Sequence, residues 1–219
     1  ADLGAVLDPS GEQLTLVDDT GTVLTDEELL FCFLDLVSDR LLGDSIALPV
    51  TAPRAAADIV GSRGYHVRWT KTSAASLMEA AAEPGVGFGA NRSGVVILPG
   101  FLPAFDAAGG LLKMLDLLAA RGAQLSEIRT AAPVAHLLHE EVVTPWEQKG
   151  TVMRSLVEQT QGRDVDLIDG VKVHHAAGWV LVLPDPEEPV THLWVEGDNL
   201  AEAKTLVQEY ARRIRQMLR

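Results

Sequence analysis

The chain has one cysteine in 219 residues, which excludes an internal disulfide and points to a reducing compartment. Cys32 lies in an apolar helical pattern with Leu29, Leu30, Phe33, Leu34 and Val37. Long hydrophobic runs are also missing: the stretch from Leu29 to Val37 is broken by Asp35 and falls far short of the roughly 20 residues that cross a bilayer. A cytoplasmic location with no membrane partner is expected. Positive charge is scarce, with 18 basic against 31 acidic residues and a net charge of −13, so a phosphate backbone is repelled and no nucleic-acid partner is expected. The basic cluster Arg212, Arg213, Arg215 and Arg219 falls where a helix C-terminus favours cations and reads as capping. An initiator methionine, a charged leader and a small-residue cleavage site are lacking too. The chain opens on the alternation Leu3, Ala5, Leu7, a strand whose edge needs a preceding segment to cover it, so a longer parent protein is expected.

What is present is 47% apolar, enough to build one large or two modest domains. Residues 3 to 7 read as a strand, and Leu14 to Val17, Asp18-Asp19-Thr20-Gly21 and Val23-Leu24 as a hairpin. Thr25 and Glu28 form a capping box for the next helix. Strands are then expected at Ile46 to Val50, His66 to Trp69 and Val95 to Leu98, alternating with helices at Pro53 to Ser62 and Ser73 to Ala82. A helix from Asp106 to Ala120 carries Leu111, Leu112, Leu115 and Leu118 as its apolar face and ends at Gly122. The texture changes after Ile128, with Thr130-Ala131-Ala132-Pro133 read as a linker. The second module has a helix from Thr151 to Thr160 and strands at Val171 to His174, Trp179 to Leu183 and Thr191 to Val195. Its closing helix has Asn199 as cap, Glu202 at the capping-box position and a stripe of Leu200, Ala203, Val207, Tyr210, Ile214 and Met217. An α/β layer followed by an α+β layer is the expected fold class.

Several stretches together carry a resemblance: Ala1-Asp2-Leu3-Gly4 into Leu7-Asp8, Gly87-Phe88-Gly89 to Ser93-Gly94, Pro103 to Ala107, Asp169-Gly170-Val171-Lys172 and Gly178 to Val182. Over nearly its whole length the chain resembles the C-terminal half of the phosphohexomutase family, the phosphomannomutases and phosphoglucomutases. The resemblance implies the end of a second domain at 1–22, a mixed α/β third domain at 23–130 and a smaller α+β fourth domain, an antiparallel sheet with helices, at 131–219. It also implies four loops with chemistry, and each departs from the family's pattern.

At Asp8-Pro9-Ser10-Gly11-Glu12-Gln13 the family has Asp-Gly-Asp-Gly-Asp-Arg, three alternating carboxylates for magnesium. Asp8 is retained and Glu12 is one methylene longer, so these two are the remnants of a metal loop and magnesium binding should be weak or absent. At Thr70-Lys71-Thr72-Ser73-Ala74-Ala75 the family has Thr-Pro-Val-Gly-His-Lys, whose His-Lys pair serves proton transfer and phosphate charge. Ala74 and Ala75 supply neither, and Lys71 is displaced. At Gly89 to Val95 the family's Gly-Glu-x-Ser-Gly-His bonds sugar hydroxyls. Here Asn91 and Ser93 are the remnants able to do so, and Val95 replaces the histidine. At Leu183-Pro184-Asp185-Pro186-Glu187-Glu188-Pro189 the family has Arg-Pro-Ser-Gly/Asn-Thr-Glu-Pro, cradling phosphate. Leu183 replaces the arginine, and Asp185 and Glu187 replace hydroxyls.

Three further features stand outside these loops. Read as a helix, His136-Leu137-Leu138-His139-Glu140-Glu141 puts two histidines and a carboxylate within one turn, in reach of zinc, but not at zincin spacing; the reading kept is an exposed polar helix face. His174 and His175 sit on a strand and point to opposite faces. The segment Pro145 to Arg154 resembles a stretch that follows the sugar-nucleotidyltransferase domain of mannose-1-phosphate guanylyltransferases.

These readings lead to a non-catalytic phosphomannomutase-like module, without catalytic residues or metal ligands of its own. The expected parent is a nucleotidyltransferase making GDP-mannose. No cofactor is expected in these residues, magnesium being reserved for the parent, and the expected partners are upstream domains of the same polypeptide or a second copy. The alternatives are the C-terminal half of a divergent, active phosphomannomutase and a sensor of sugar phosphate or nucleotide.

Overall fold

The computed structural model describes residues 1–218, so Arg219 of the basic cluster lies outside the described residues. Two compact units are present, Ala1–Val134 and Ala135–Arg219. Among the described residues no helix is long and apolar enough to cross a membrane.

The first unit begins with the antiparallel pair β1 (Gly4–Leu7) and β2 (Leu14–Val17). After the Asp18 turn the chain returns on β2 as the expected short hairpin, with an antiparallel Val17–Val23 bridge and backbone bonds from Asp18 N–H to Thr22 O and from Leu24 N–H to Leu16 O, each 2.9 Å. That turn is also fixed by the buried Asp18 carboxylate. It accepts the Thr20 and Thr22 N–H groups at 2.9 and 3.0 Å and the Arg129 guanidinium at 2.7 Å. These bonds to the charged form hold its pKa far below the carboxylate range, the Thr20 hydroxyl contributing most. Helix α1 (Asp26–Val37) starts with the expected box: Thr25 accepts from Glu28 N–H at 3.2 Å and its own N–H donates to Glu28 at 2.8 Å. It is buried on nearly every side, as the run Leu29-Leu30-Phe31-Cys32-Phe33-Leu34 requires.

Then come β3 (Ser45–Pro49), α2 (Arg54–Ser62), β4 (His66–Thr70), α3 (Ala74–Ala81), β5 (Val86–Ala90), β6 (Val96–Leu98) and β7 (Leu102–Phe105). The sheet order is β4-β3-β5-β6-β7, with β3 parallel to both neighbours and the β5-β6-β7 end antiparallel. Asp106 caps α4 (Ala107–Arg121), and Gly122, at φ +66°, ends it in the left-handed region. The expected apolar face of α4 is corrected. The core takes Gly110, Met114, Leu117 and Leu118, while Leu112 and Leu115 are 68% and 44% exposed. Positions 110, 114, 117 and 118 share one helical stripe, and the leucine count alone does not reveal which stripe faces the sheet. Helix α5 (Leu125–Ala131) takes in Thr130 and Ala131, the first half of the stretch whose composition predicts a linker.

The second unit consists of β8 (His136–Val143), α6 (Trp146–Gln159), β9 (Val165–Asp166), β10 (Val171–His175), β11 (Gly178–Pro184), β12 (Val190–Gly197) and α7 (Leu200–Met217). Its sheet, β8-β12-β11-β10-β9, is antiparallel throughout. Val173, Val180, Val182, Leu193 and Val195 alternate toward a core that they share with Val152, Leu156, Tyr210 and Ile214. At α7, Asn199 accepts from Glu202 N–H at 3.0 Å. Glu202 Oε2 is buried without a hydrogen-bond partner. Near the end of α7, Arg215 reaches Glu140 at 2.8 Å and Arg213 pairs with Glu209, so ion pairs engage two of the cluster's arginines.

The largest correction is β8. The segment His136–Val143 is an edge strand paired over all eight residues with β12, not a helix. Leu, His and Glu tolerate either state, and the open edge of β12 decides the outcome.

Cys32 is fully buried, and burial pushes its thiol up to about 12. A thiol-specific chromogenic reagent should label none of the native chain at neutral pH and one equivalent after denaturation.

Candidate functional site

Three loops are closed by the chain's own side chains. The first joins β1 to β2. Asp8 Oδ1 accepts the N–H groups of Glu12 and Gln13 at 2.7 and 2.8 Å, and Oδ2 accepts the Ser10 N–H at 3.3 Å and the Ser10 hydroxyl. The Ser10 hydroxyl and the Gln13 N–H are the main causes that hold the Asp8 carboxyl down to about 2. Glu12 is exposed and enters the loop through its backbone. A magnesium ion wants several oxygens converging in octahedral geometry, whereas Asp8 is turned inward onto four hydrogen-bond donors. These residues do not fit the ion.

The third loop, between β5 and β6, repeats the device. Asn91 Oδ1 accepts the Ser93 N–H at 2.8 Å, and the Asn91 N–H donates to Val95 at 3.2 Å. Arg92 is held by Glu27 at 2.6 Å. Asn91 and Ser93 are thus brought together, with the amide oxygen spent on the loop itself. The first and third loops are tied to each other, since Leu14 N–H donates to Gly94 O at 2.9 Å. Gly94 sits at φ +71°, and a Cβ there would lie 2.4 Å from Leu14 O, so only glycine permits this approach.

Between β4 and α3 the residues of the second loop form a helix start. Ser73 caps α3, accepting from Ser76 N–H at 3.3 Å, and Ala74 and Ala75 place methyl groups on its exposed first turn. Lys71 is exposed on the approach to this turn.

The fourth loop, between β11 and β12, is the most heavily bonded. Asp185 Oδ1 accepts the Glu187 and Glu188 N–H groups at 2.7 and 2.6 Å, and Oδ2 accepts from His192 Nε2 at 2.9 Å. The His192 bond and the two N–H groups hold its pKa at about 2. The buried Lys149 ammonium donates to the carbonyls of Asp185, at 2.6 Å, and Glu188, and lies 3.7 Å over the Trp146 ring. Neither Lys149 nor His192 was singled out from sequence, because only the fold brings them to a loop 36 and 7 residues from them. The Asp-Pro-x-Glu turn signal was readable.

No protein-family model matches the chain. A probable phosphoglucosamine mutase from Methanopyrus kandleri is 30% identical over 216 residues, covering 96% of this chain and 47% of the relative. The phosphoglucosamine mutase of Brucella anthropi is 26% identical over 215 residues. A phosphoglucomutase/phosphomannomutase family protein from Burkholderia thailandensis has the same fold, with a TM-score of 0.80 at 23% identity over 99% of this chain and 47% of its own. The relatives of this chain are the C-terminal halves of phosphohexomutases. It spans about half the length of the curated relatives it matches. The expected pair of layers, a mixed α/β sheet and an antiparallel sheet with helices, is the phosphohexomutase arrangement. The names of these relatives are mutase names.

Because the folded-state pKa of Asp8 lies below its ordinary value of 3.8, its contribution to stability is present above pH 4 and is lost as pH falls toward 2. Asp8→Asn keeps the acceptor but not the charge. Its urea midpoint should therefore fall less steeply than that of the wild type between pH 4 and 2 in a denaturation series followed by circular dichroism.

Proposed function

We propose that this chain is a non-catalytic phosphohexomutase-like module whose family loops have been closed by its own side chains. One observation carries the reading: the Asp185 carboxylate occupies the Glu187 and Glu188 N–H groups, the kind of backbone donors the family uses for phosphate. A phosphate would have to displace an internal anion and then face Asp185, Glu187 and Glu188 with Leu183 in place of a guanidinium. A charge-assisted hydrogen bond is worth roughly 1.5–3 kcal/mol, and a like charge about 4 Å away costs roughly 1 kcal/mol even in water. The two losses together remove on the order of a hundredfold or more in affinity. On this reading the chain needs no cofactor, and its partners are the preceding domains of its own polypeptide or a second copy. The parent proposed here is a sugar-nucleotide or sugar-phosphate enzyme. The finer assignment to a mannose-1-phosphate guanylyltransferase draws on Pro145 to Arg154, most of which is the start of α6, and would be supported by a glycine-rich nucleotide loop upstream.

A second reading, the C-terminal half of a divergent but active mutase, is favoured by the mutase names of the relatives. Calorimetry of the chain against mannose 1-phosphate and glucosamine 6-phosphate separates the two. The first reading expects no heat at millimolar ligand. Saturable binding, or mutase turnover by the full-length parent that is abolished by changing an upstream serine, would establish the second reading instead.

A further inference from the structure

The register of β12 against β8 pairs His192 with Glu141 and Trp194 with His139. Strand alternation then sets His139, Glu141 and His192 on one face, and their ligand atoms all lie within 4.8 Å of one another. His136, two strand periods less one residue away from His139, points to the opposite face, so the set is assembled across strands rather than along one segment. His139 Nε2 lies 3.0 Å from His192 Nδ1, and Glu141 Oε1 lies 3.7 Å from that same nitrogen. Around a tetrahedral ion with bonds of about 2.05 Å, ligand atoms are roughly 3.3 Å apart, and the two distances bracket that value.

The surroundings orient these groups. His192 Nε2–H donates to Asp185 at 2.9 Å, so its Nδ1 accepts from His139 Nε2–H at 3.0 Å, and an ion taken up between the two rings replaces that proton, which leaves to solvent or to His139 Nδ1. The ring of His139 stacks on Trp194 at 3.8 Å and 11°, holding its plane. An imidazole carrying a carboxylate on its far nitrogen is the arrangement that supports a metal-ligating histidine.

We propose that His139 Nε2, His192 Nδ1 and Glu141 Oε1 form a binding site for a divalent transition-metal ion of the zinc class, with Asp185 as the positioning residue and solvent completing the shell. Two imidazoles and one carboxylate suit zinc, cobalt or copper and disfavour magnesium and calcium, which take oxygen ligands. The site does not depend on whether the family loops bind phosphate. It does engage the same Asp185 carboxylate that closes the fourth loop, so an ion on the sheet would further fix that loop.

The test is titration of the 219-residue chain with zinc alone by calorimetry, and with cobalt by visible absorption. One equivalent should bind at micromolar concentration, cobalt should give the intense bands of a four-coordinate ion, and excess magnesium should not compete. His139→Ala and His192→Ala should each abolish binding. Asp185→Asn should weaken it by roughly 10–100-fold. Glu141→Gln, at an exposed position, should weaken it with the circular dichroism unchanged. Stoichiometric binding that survives both histidine variants, or no binding by the wild type, would overturn the proposal, and an unaltered affinity in Asp185→Asn would overturn the positioning role.

Discussion

The organising constraint is that a turn's backbone N–H groups must find acceptors. In this chain the acceptor is repeatedly a carboxylate or amide at the start of the same turn. Asp8, Asp18, Asn91 and Asp185 each fold back onto N–H groups two to five residues ahead. Such Asx turns are locally complete. A turn that satisfies itself needs neither a bound ion nor a bound anion to keep its shape. It also has fewer donors to offer one.

This separates the scaffold from the chemistry built on it. The close approach of Gly94 to Leu14 keeps the β1-β2 pair seated against the β5-β6 connection, and the valine alternation of the second sheet builds its core without reference to the loop from Leu183 to Pro189. Each unit is therefore stabilised by packing that leaves its loops open to change. The polar residues at the β11-β12 turn illustrate the result: Lys149, His192 and Asp185 form one bonded cluster around the turn.

Much of this was legible in sequence where a signal is local. Thr25 with Glu28, Asp106 with Gly122 and Asn199 each announce a helix end through chemistry confined to four residues, and the second sheet's core strands read off their alternating valines. Elements whose state depends on distant partners were not legible. The sequence of β8 contains Leu137, Leu138, Glu140 and Glu141, good helix formers, and becomes a strand by pairing with β12 more than 50 residues later. The same pairing brings His139 to His192, a juxtaposition invisible in the spacing of either. The four loops could be located by resemblance, and their missing groups counted. That the surviving Asp8, and the substituted Asn91 and Asp185, point inward required the backbone geometry.

The chain's own carboxylate fills the fourth loop, and the decisive measurement follows the backbone amide resonances of Glu187 and Glu188 by nuclear magnetic resonance while inorganic phosphate is added to the wild type and to Asp185→Ser. These amides should stay put in the wild type and move in the variant, where the donors are released. Saturable movement in the wild type, to the same extent as in the variant, would contradict this.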